Sequence, residues 1–494
     1  MASPANRAHR ILWDVHAWVG VVAGLLLYVM FFTGAFVLFR SELRTWAEPT
    51  RQASRQSVEE VVAPLLASND DVAWVFELGD GGTSVIGGQT RAAGARAPFT
   101  IDGATGAAEP ERTAVERILW HLHFLYQLPF GFYLSGFVGM ALVLAVVTGT
   151  VIHWRNIPSQ LLRFRPTKAA KIVWTDAHKV LGTVGLPFLL IFGLTGAAIC
   201  LGPLLLEAHA AASFGGDHDA GEELLGFVHA DVEPAGAKGP RLPYDELVEK
   251  AKGAIPGLVP EWMRFQHPGD ANEVVNLYGS HVEGEPFGYA TVLLRARDGE
   301  VLAATVPSER GPGARTTAAI YGLHFVSYGG MALRLVHAFL ALGGCVTILS
   351  GFAVWLARRE ARHATAFNHI LLRLVVGTGA GLPLGTAALF AASRLLPPDL
   401  AWRVGWENVA IFGTWLAAAV YAFAPLAPRR IVRDLLATTG LLFGAAVLLD
   451  LAAGVRWEAA GMNVALAGLA LLSTWIATRI HVPSRAPALA LQES

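Results

Sequence analysis

The stretch WTDAHKVLGTVGLPFLLIFGLTGAAIC, from Trp174 to Cys200, is apolar over the length of a membrane-crossing helix, and it has an echo near the N-terminus. The run WDVHAWVGVVAGLLLYVMFFTGAFVLF, from Trp13 to Phe39, carries the same marks in register. Asp14 and Asp176 stand two residues before His16 and His178, Gly20 and Gly182 four after, and Thr33-Gly34 and Thr195-Gly196 close both runs. Glycines coincide easily between apolar helices, whereas an Asp and a His in register do not. On a helix, steps of four and eighteen residues return to nearly the same face. Each copy therefore sets a histidine and two small-residue gaps on one stripe, where a neighbouring helix or a flat ligand can approach the backbone. An ionisable ring at the mouth of a membrane helix is either an interfacial group bonded to water and headgroups or part of a functional site, and the repetition favours the site.

The 494 residues are 53% hydrophobic and only 16% charged, which predicts a polytopic α-helical membrane protein. A net charge of −1 gives no reason to expect a nucleic-acid partner. Cys200 and Cys345 are the only cysteines and both fall in apolar runs, so neither a disulfide framework nor a thiolate metal site is expected. Histidine, with 16 copies, is the plentiful ligand.

The chain divides into six expected segments. Residues 1–40 hold a basic N-terminus (Arg7, Arg10) and the first spanning helix, about Ala17 to Phe39, too long for a signal-peptide core and followed by no small-residue cleavage site. Residues 41–120 form a small α+β module, with a helix at SVEEVVAPLLA and strands at VAWVFEL, TSVIGG and APFTIDGATGAA. Residues 121–202 contain a second spanning helix (about Leu134 to His153), a loop with Arg155, Arg163, Arg165, Lys168 and Lys171, and a third spanning helix. Residues 203–330 repeat the module, with a helix at YDELVEKAKGAI and strands at EWMRFQ, EVVNLYG, GYATVLLRA and EVLAATVP. Residues 331–360 give the fourth spanning helix, about Met331 to Leu356, followed by Arg358, Arg359 and Arg362. Residues 361–494 add four further apolar runs, roughly Ile370 to Leu395, Val409 to Ala427, Leu435 to Ala453 and Met462 to Ile480. Arg429, Arg430 and Arg433 separate the middle two, and Arg479 and Arg485 lie near the end.

The positive-inside rule then places both termini and the basic loops in the cytoplasm and both modules outside, with about eight spanning helices in all. In a bacterial inner membrane the modules are periplasmic. Asp450 is an acid within the seventh run, expected to snorkel to the outer interface.

The first four helices read as a duplication: helix, module, helix, twice over. The approaches to the second and fourth helices, HLHFLYQLPFGFYLSGFVG and YGLHFVSYGGMALRL, both contain Leu-His-Phe, at His123 and His324, and the helices end at Gly149 and Gly351. Repeats of two helices each run parallel about an axis along the membrane normal. His16 and His178 would then face each other near the cytoplasmic surface, and His123 and His324 near the outer one. Imidazoles approaching from opposite sides are what a six-coordinate haem iron needs, and flanking glycine leaves room for a porphyrin. No CxxCH occurs, so any haem is non-covalent, of b type. Other pairings stay open: His153 as the partner of His178, or His337 in place of His324, while His121 points elsewhere on a helical approach. Gly377 opens a GTGAG that resembles a nucleotide loop only as text, and no Walker, HExxH or GxSxG motif occurs.

The His-x3-Gly helices ending in Thr-Gly, TGTVIHWR and FRP before WTDAHKVLG, and YGLHFVSYGG resemble the PepSY-associated transmembrane-helix family of bacterial inner-membrane proteins, over roughly residues 10–360. That family includes FoxB-type ferric-siderophore reductases, also described as iron-regulated membrane proteins. The outer modules, with their TIDGATG turn, are similar to PepSY domains. The resemblance implies two haem b groups, held by His16, His178, His123 and His324 as axial iron ligands with His153 as a further cofactor-binding position. It implies a haem-dependent ferric-chelate reductase with no catalytic side chain of its own, fed by a cytoplasmic or quinol donor. Its substrate would be a periplasmic Fe(III) siderophore, releasing Fe(II) and docked on the modules; Trp74, Trp262 and Tyr278 are candidates for that surface and equally read as sheet core. The competing reading is non-enzymatic, since PepSY modules also occur as inhibitors: a membrane-anchored regulator of extracytoplasmic peptidases. A transporter is disfavoured because the helices lack mid-membrane charges and breaks other than Pro187.

Overall fold

The structure, a computed structural model, describes residues 4–48, 53–68, 72–92, 95–160, 163–226, 228, 230–281, 287, 289–360 and 365–481. Arg362 and Arg485 of the basic flanks lie outside the described residues.

The first half of the chain runs through α1 (Pro4–Val37), α2 (Arg40–Ala47), α3 (Val58–Ala67), β1 (Ala73–Gly79), β2 (Ser84–Ala92), β3 (Ala95–Ile101), β4 (Ala108–Pro110), α4 (Val115–His123) and α5 (Gly131–His153). The order then repeats. A short α6 (Ile157–Gln160) leads to α7 (Ala170–Val184) and α8 (Leu186–Ser213), and α9 (His218–Leu224) leads to α10 (Tyr244–Ala254). There follow β5 (Leu258–Gln266), β6 (Val274–His281), β7 (Ala290–Arg295), β8 (Val301–Thr305), α11 (Pro312–Phe325) and α12 (Gly330–Glu360). The echo of α1 is thus split at Gly185, because Pro187 offers no amide to the preceding turn.

The long helices close a ring. Helix α1 packs on α5 and α12, α5 on α8, and α7 on α12. Glycine sets the distances: a Cβ on Gly24 of α1 would meet the Phe352 ring of α12 at 2.8 Å. One on Gly139 of α5 would come within 3.1 Å of the Ala197 amide on α8.

The two expected modules are one sheet. Its eight strands run β4-β3-β2-β1-β5-β6-β7-β8, every pair antiparallel, so each module is a four-stranded meander and the two join edge to edge through β1 and β5. Joining removes both exposed edges at the centre, which is why two short meanders fuse rather than stand apart. The helices interlock as well. Asp245 of α10 accepts from the amides of Val58 and Glu59 at the start of α3, while Glu59 accepts from the Tyr244 amide and, bidentately, from Arg241. Each carboxylate satisfies the orphan donors of the other module's helix.

Beyond α12 come α13 (Ala366–Gly379), α14 (Gly381–Leu395), α15 (Arg403–Asn408), a π turn (Val409–Gly413), α16 (Thr414–Ala422), α17 (Pro428–Ala452) and α18 (Ala460–Arg479). Among the described residues seven helices are long and apolar enough to cross a membrane, one fewer than expected. The missing one is the Val409–Ala427 run, helical from Arg403 to Ala422. Glu407 and Asn408 in its opening turns lower its apolarity. Glu407 is fully buried because it has work to do: it pairs with Arg403 at 2.8 Å and accepts at 2.7 Å from both the Thr113 hydroxyl and the Ala114 amide, capping α4.

Asp450 does not snorkel. It is 2% exposed, pairs with Arg394 and Arg456, and accepts from Asn463, whose own carbonyl accepts from the Trp46 indole of α2. The last helices are therefore tied to the loop end of α1 by a buried polar cluster.

Candidate functional site

Helix α4 presents Val115, Ile118, Leu119 and Leu122 to the core, the i, i+3, i+4, i+7 pattern of one buried face, and so fixes His123 at its last turn. Its mate α11 ends in the same way one residue after His324. In both, the second residue beyond the histidine is a non-glycine in the left-handed region, Leu125 (φ 54) and Val326 (φ 53). Such backbone is costly and turns the chain sharply, returning it into α5 and α12.

The turn brings His123 and His324 together, with ring centroids 6.2 Å apart. At the other end of the bundle His16 and His178 lie 6.0 Å apart, centroid to centroid. Each ring is seated on a glycine of another helix. A Cβ added to Gly34 would fall 3.0 Å from Cε1 of His123, to Gly196 3.0 Å from His324, to Gly149 2.9 Å from His16, and to Gly351 3.1 Å from His178. Those four glycines are two repeat pairs, and they hold rings rather than neighbouring helices.

Every Nδ1 has a partner. His16 bonds the Ala145 carbonyl at 2.9 Å, His178 the Thr347 carbonyl at 2.8 Å and His123 the Met30 carbonyl at 2.8 Å. His324 instead bonds the Thr195 hydroxyl at 2.9 Å. With Nδ1–H donating, the tautomer is fixed and Nε2 is the lone-pair nitrogen, the arrangement found in metal-binding histidines. Between His123 and His324 opens an apolar cleft, bounded by Gly34, Gly139, Gly193 and Gly196 and by Phe31 and Phe188.

Three further histidines lie beside these pairs rather than in them. His153 lies edge-on to Trp13 at 5.6 Å, not between His16 and His178. His121 lies against Tyr126. His337 borders the His123/His324 cleft between Phe188 and Phe192, its Nδ1 turned back to the Leu333 carbonyl. Of the two matching aspartates, Asp176 is buried and bidentate to Arg165 at 2.8 Å, whereas Asp14 is exposed.

Beside the His123/His324 pair, Trp120 lies between Phe124 and Phe325, at 4.7 and 6.1 Å, and Arg40 covers its face at 3.8 Å. Arg40 and Arg44 both bind Glu116, and Arg44 reaches on to Glu77 of β1. Burial alone would raise the Glu116 carboxyl; the two guanidinium groups outweigh it and hold it below the usual range. Trp120 and its repeat mate Tyr321 stand three residues before the paired histidines, a signal that superposing the repeats would have exposed.

The sheet sorts the expected docking residues. Trp74 stacks on Phe76 in the core beneath α3 and α10 and is no surface group. Trp262 sits opposite both Glu77 and Tyr278, and directly opposed residues share a face, so these three point away from that core. Arg44 binding Glu77 shows that this face turns toward the helical bundle. Beside it, burial and the neighbouring Glu261 push the Tyr289 phenol up to about 12.

A family model for the PepSY-associated TM region matches residues 13–358, from just before His16 to just after Gly351. The chain belongs to that family. Both histidine pairs, the sheet and the four glycine seats fall within the matched region, and α13 to α18 fall outside it. An uncharacterised protein of Pseudomonas aeruginosa is 29% identical over 371 residues, which cover 71% of this chain and 91% of the relative. The PepSY-associated repeat therefore constitutes the greater part of the chain, and it is a multi-pass membrane protein by its seven apolar helices.

Proposed function

We propose that this protein carries electrons across a bacterial inner membrane through two haem b groups and reduces an Fe(III) chelate, such as a ferric siderophore, on the sheet side. The observation that carries the reading is the spacing of the two histidine pairs. A metal–imidazole nitrogen bond is about 2 Å and a ring nitrogen sits roughly 1 Å from its centroid, so two imidazoles on opposite sides of one metal have centroids about 6 Å apart. The pairs stand at 6.0 and 6.2 Å, each with its Nδ1 engaged.

The residues fit the group in other respects. His16, His178, His123 and His324 would hold the irons, the glycine seats keep side chains off the ring planes, and the outer cleft is apolar. Haem would supply one-electron redox chemistry that no side chain here offers. His16 and Gly34, which seats His123, are eighteen residues apart on α1, about 27 Å along the axis, close to the thickness of a bilayer core. This spacing supports one pair near each surface.

In this reading the termini and the basic loop after α5 are cytoplasmic, and a cytoplasmic or quinol donor delivers electrons at the His16 end. The sheet face bearing Trp262 and Tyr278, with Arg40 over Trp120 below it, receives the chelate. Each electron delivered there converts one Fe(III) to Fe(II), which hard oxygen ligands hold far less tightly. His153 and His337 are neighbours of the centres rather than their ligands.

A reduced-minus-oxidised optical spectrum of purified full-length protein, with pyridine haemochrome to count haem, tests the proposal. The expected result is a b-type spectrum with about two haems per chain. A folded protein, expressed with haem available and still colourless, would overturn it in favour of a peptidase regulator.

A further inference from the structure

The repeat is close enough that its one departure at the histidines stands out. At the inner end the close acceptors are repeat mates, the main-chain carbonyls of Ala145 for His16 at 2.9 Å and Thr347 for His178 at 2.8 Å, with the hydroxyls of Thr148 and Ser350, also repeat mates, standing farther off at 3.4 and 3.5 Å. At the sheet end His123 uses the Met30 carbonyl, whose repeat mate is the carbonyl of Phe192. His324 bypasses that carbonyl and bonds Oγ1 of Thr195 at 2.9 Å. Thr195 donates its own proton to the Ile191 carbonyl at 2.7 Å, so toward His324 it can only accept. The mate of Thr195 is Thr33, whose hydroxyl donates to the Val29 and Met30 carbonyls and, among the described residues, bonds no histidine.

An acceptor on Nδ1–H draws the proton away and makes the ring a stronger electron donor through Nε2. Stronger donation stabilises the more charged, oxidised iron and lowers the potential of the centre. A carbonyl is the better acceptor, a hydroxyl the weaker. The inner centre would thus have two strongly donating ligands and the sheet-end centre one strong and one weaker. Surroundings add to this at the sheet end, where the cleft is apolar and disfavours the charged oxidised form. Opposing it at the inner end are Lys179, next to His178, and Arg358, which is exposed and screened by solvent.

We propose that Thr195 makes the sheet-end centre the higher-potential one, so that electrons run downhill from the His16/His178 end to the His123/His324 end. This rests on the two-haem reading. With both groups bound the transfer would balance within the protein: the His16/His178 centre would give up the one electron that the His123/His324 centre gains, and no proton would be required. Thr195 touches a ligand, not the iron, and is a positioning residue that sets direction.

Spectroelectrochemical titration of the full-length protein in lipid nanodiscs tests it. The wild type should show two separate one-electron transitions. T195V, which removes the acceptor, should move the upper transition further up and leave the lower in place. T195N, whose amide oxygen restores a carbonyl acceptor, should move the upper one down, T195S should match the wild type, and T33V should move neither. Should T195V lose haem, T195N and T195S still report on the same bond. Retained low-spin haem with the upper transition unmoved in T195N and T195V, or movement of the lower one, overturns the inference. A wild-type protein without haem would overturn the two-haem reading and this inference together.

Discussion

Gly34 of α1 lies against the ring of His123, so that a Cβ on the glycine would stand 3.0 Å from Cε1 and 3.2 Å from Nδ1. Replacing it with valine drives a branched side chain into the space of the ring. The Met30 carbonyl one turn back on α1 then loses the Nδ1 bond that orients the imidazole. G34V should therefore lose the sheet-end haem and keep the inner one, halving the pyridine haemochrome yield. G20V should keep both, because nothing lies within 4 Å of that position.

The placement of His153 and His337 beside the pairs, rather than in them, separates the proposed haem ligands from their neighbours. H178A should abolish low-spin signal from the inner centre and leave the sheet-end signal intact. H153F and H337F should retain both haems, with at most a shifted spectrum, since His153 lies against the Trp13 edge and His337 is turned to its own helix. Haem content of the three variants, measured side by side, decides between this arrangement and the alternative pairings.

Removing Asp450 strands two guanidinium groups, Arg394 and Arg456, in a buried cluster. Breaking a buried ion pair from one side costs about 3–5 kcal/mol, most of it the penalty of the charge left behind. D450A should lower the thermal unfolding temperature measured in detergent, whereas the D450A/R394M/R456M combination should recover much of the loss. Haem content should be unaffected while the protein remains folded.

Glu111, at the junction of β4 with the C-terminal helices, is raised from 4.5 to about 7, chiefly by burial and also by Glu48 and Glu116, against the pull of Arg117. An acid held protonated in the folded state binds a proton that the unfolded chain has released. Stability is therefore full below about pH 4.5 and falls as pH rises toward 7, by up to about 3 kcal/mol before solvent screening reduces it. Thermal midpoints across this window should decline in the wild type and be flatter in E111Q. An equal slope in both would assign the decline to other groups.

Much of the site was legible because the repeat is written in residues that rarely coincide. Asp-x-His, Thr-Gly and Leu-His-Phe recur at matching positions, and their phase on a helix says which face they share. The acceptors were not legible, because a main-chain carbonyl has no letter of its own. Thr195 was visible as the companion of Gly196 but not as the partner of His324, since that bond joins residues 129 positions apart. Trp74, Trp262 and Tyr278 looked alike as strand aromatics, and only strand phase against the helices put Trp74 in the core. The seventh-run acid looked isolated because Arg394 sits at the end of another helix and Arg456 in the loop beyond its own, and only folding brings both onto it.

The sequence alone determined the duplication, the long apolar helices and which histidines could share an end, because periodicity and hydropathy are local properties of the chain. Only the tertiary structure decided that two modules share one sheet, since strand edges meet by proximity and carry no sequence code for their partner. It alone decided which glycine seats which ring and which oxygen orients it, because those contacts are made between helices, where distance is set by packing.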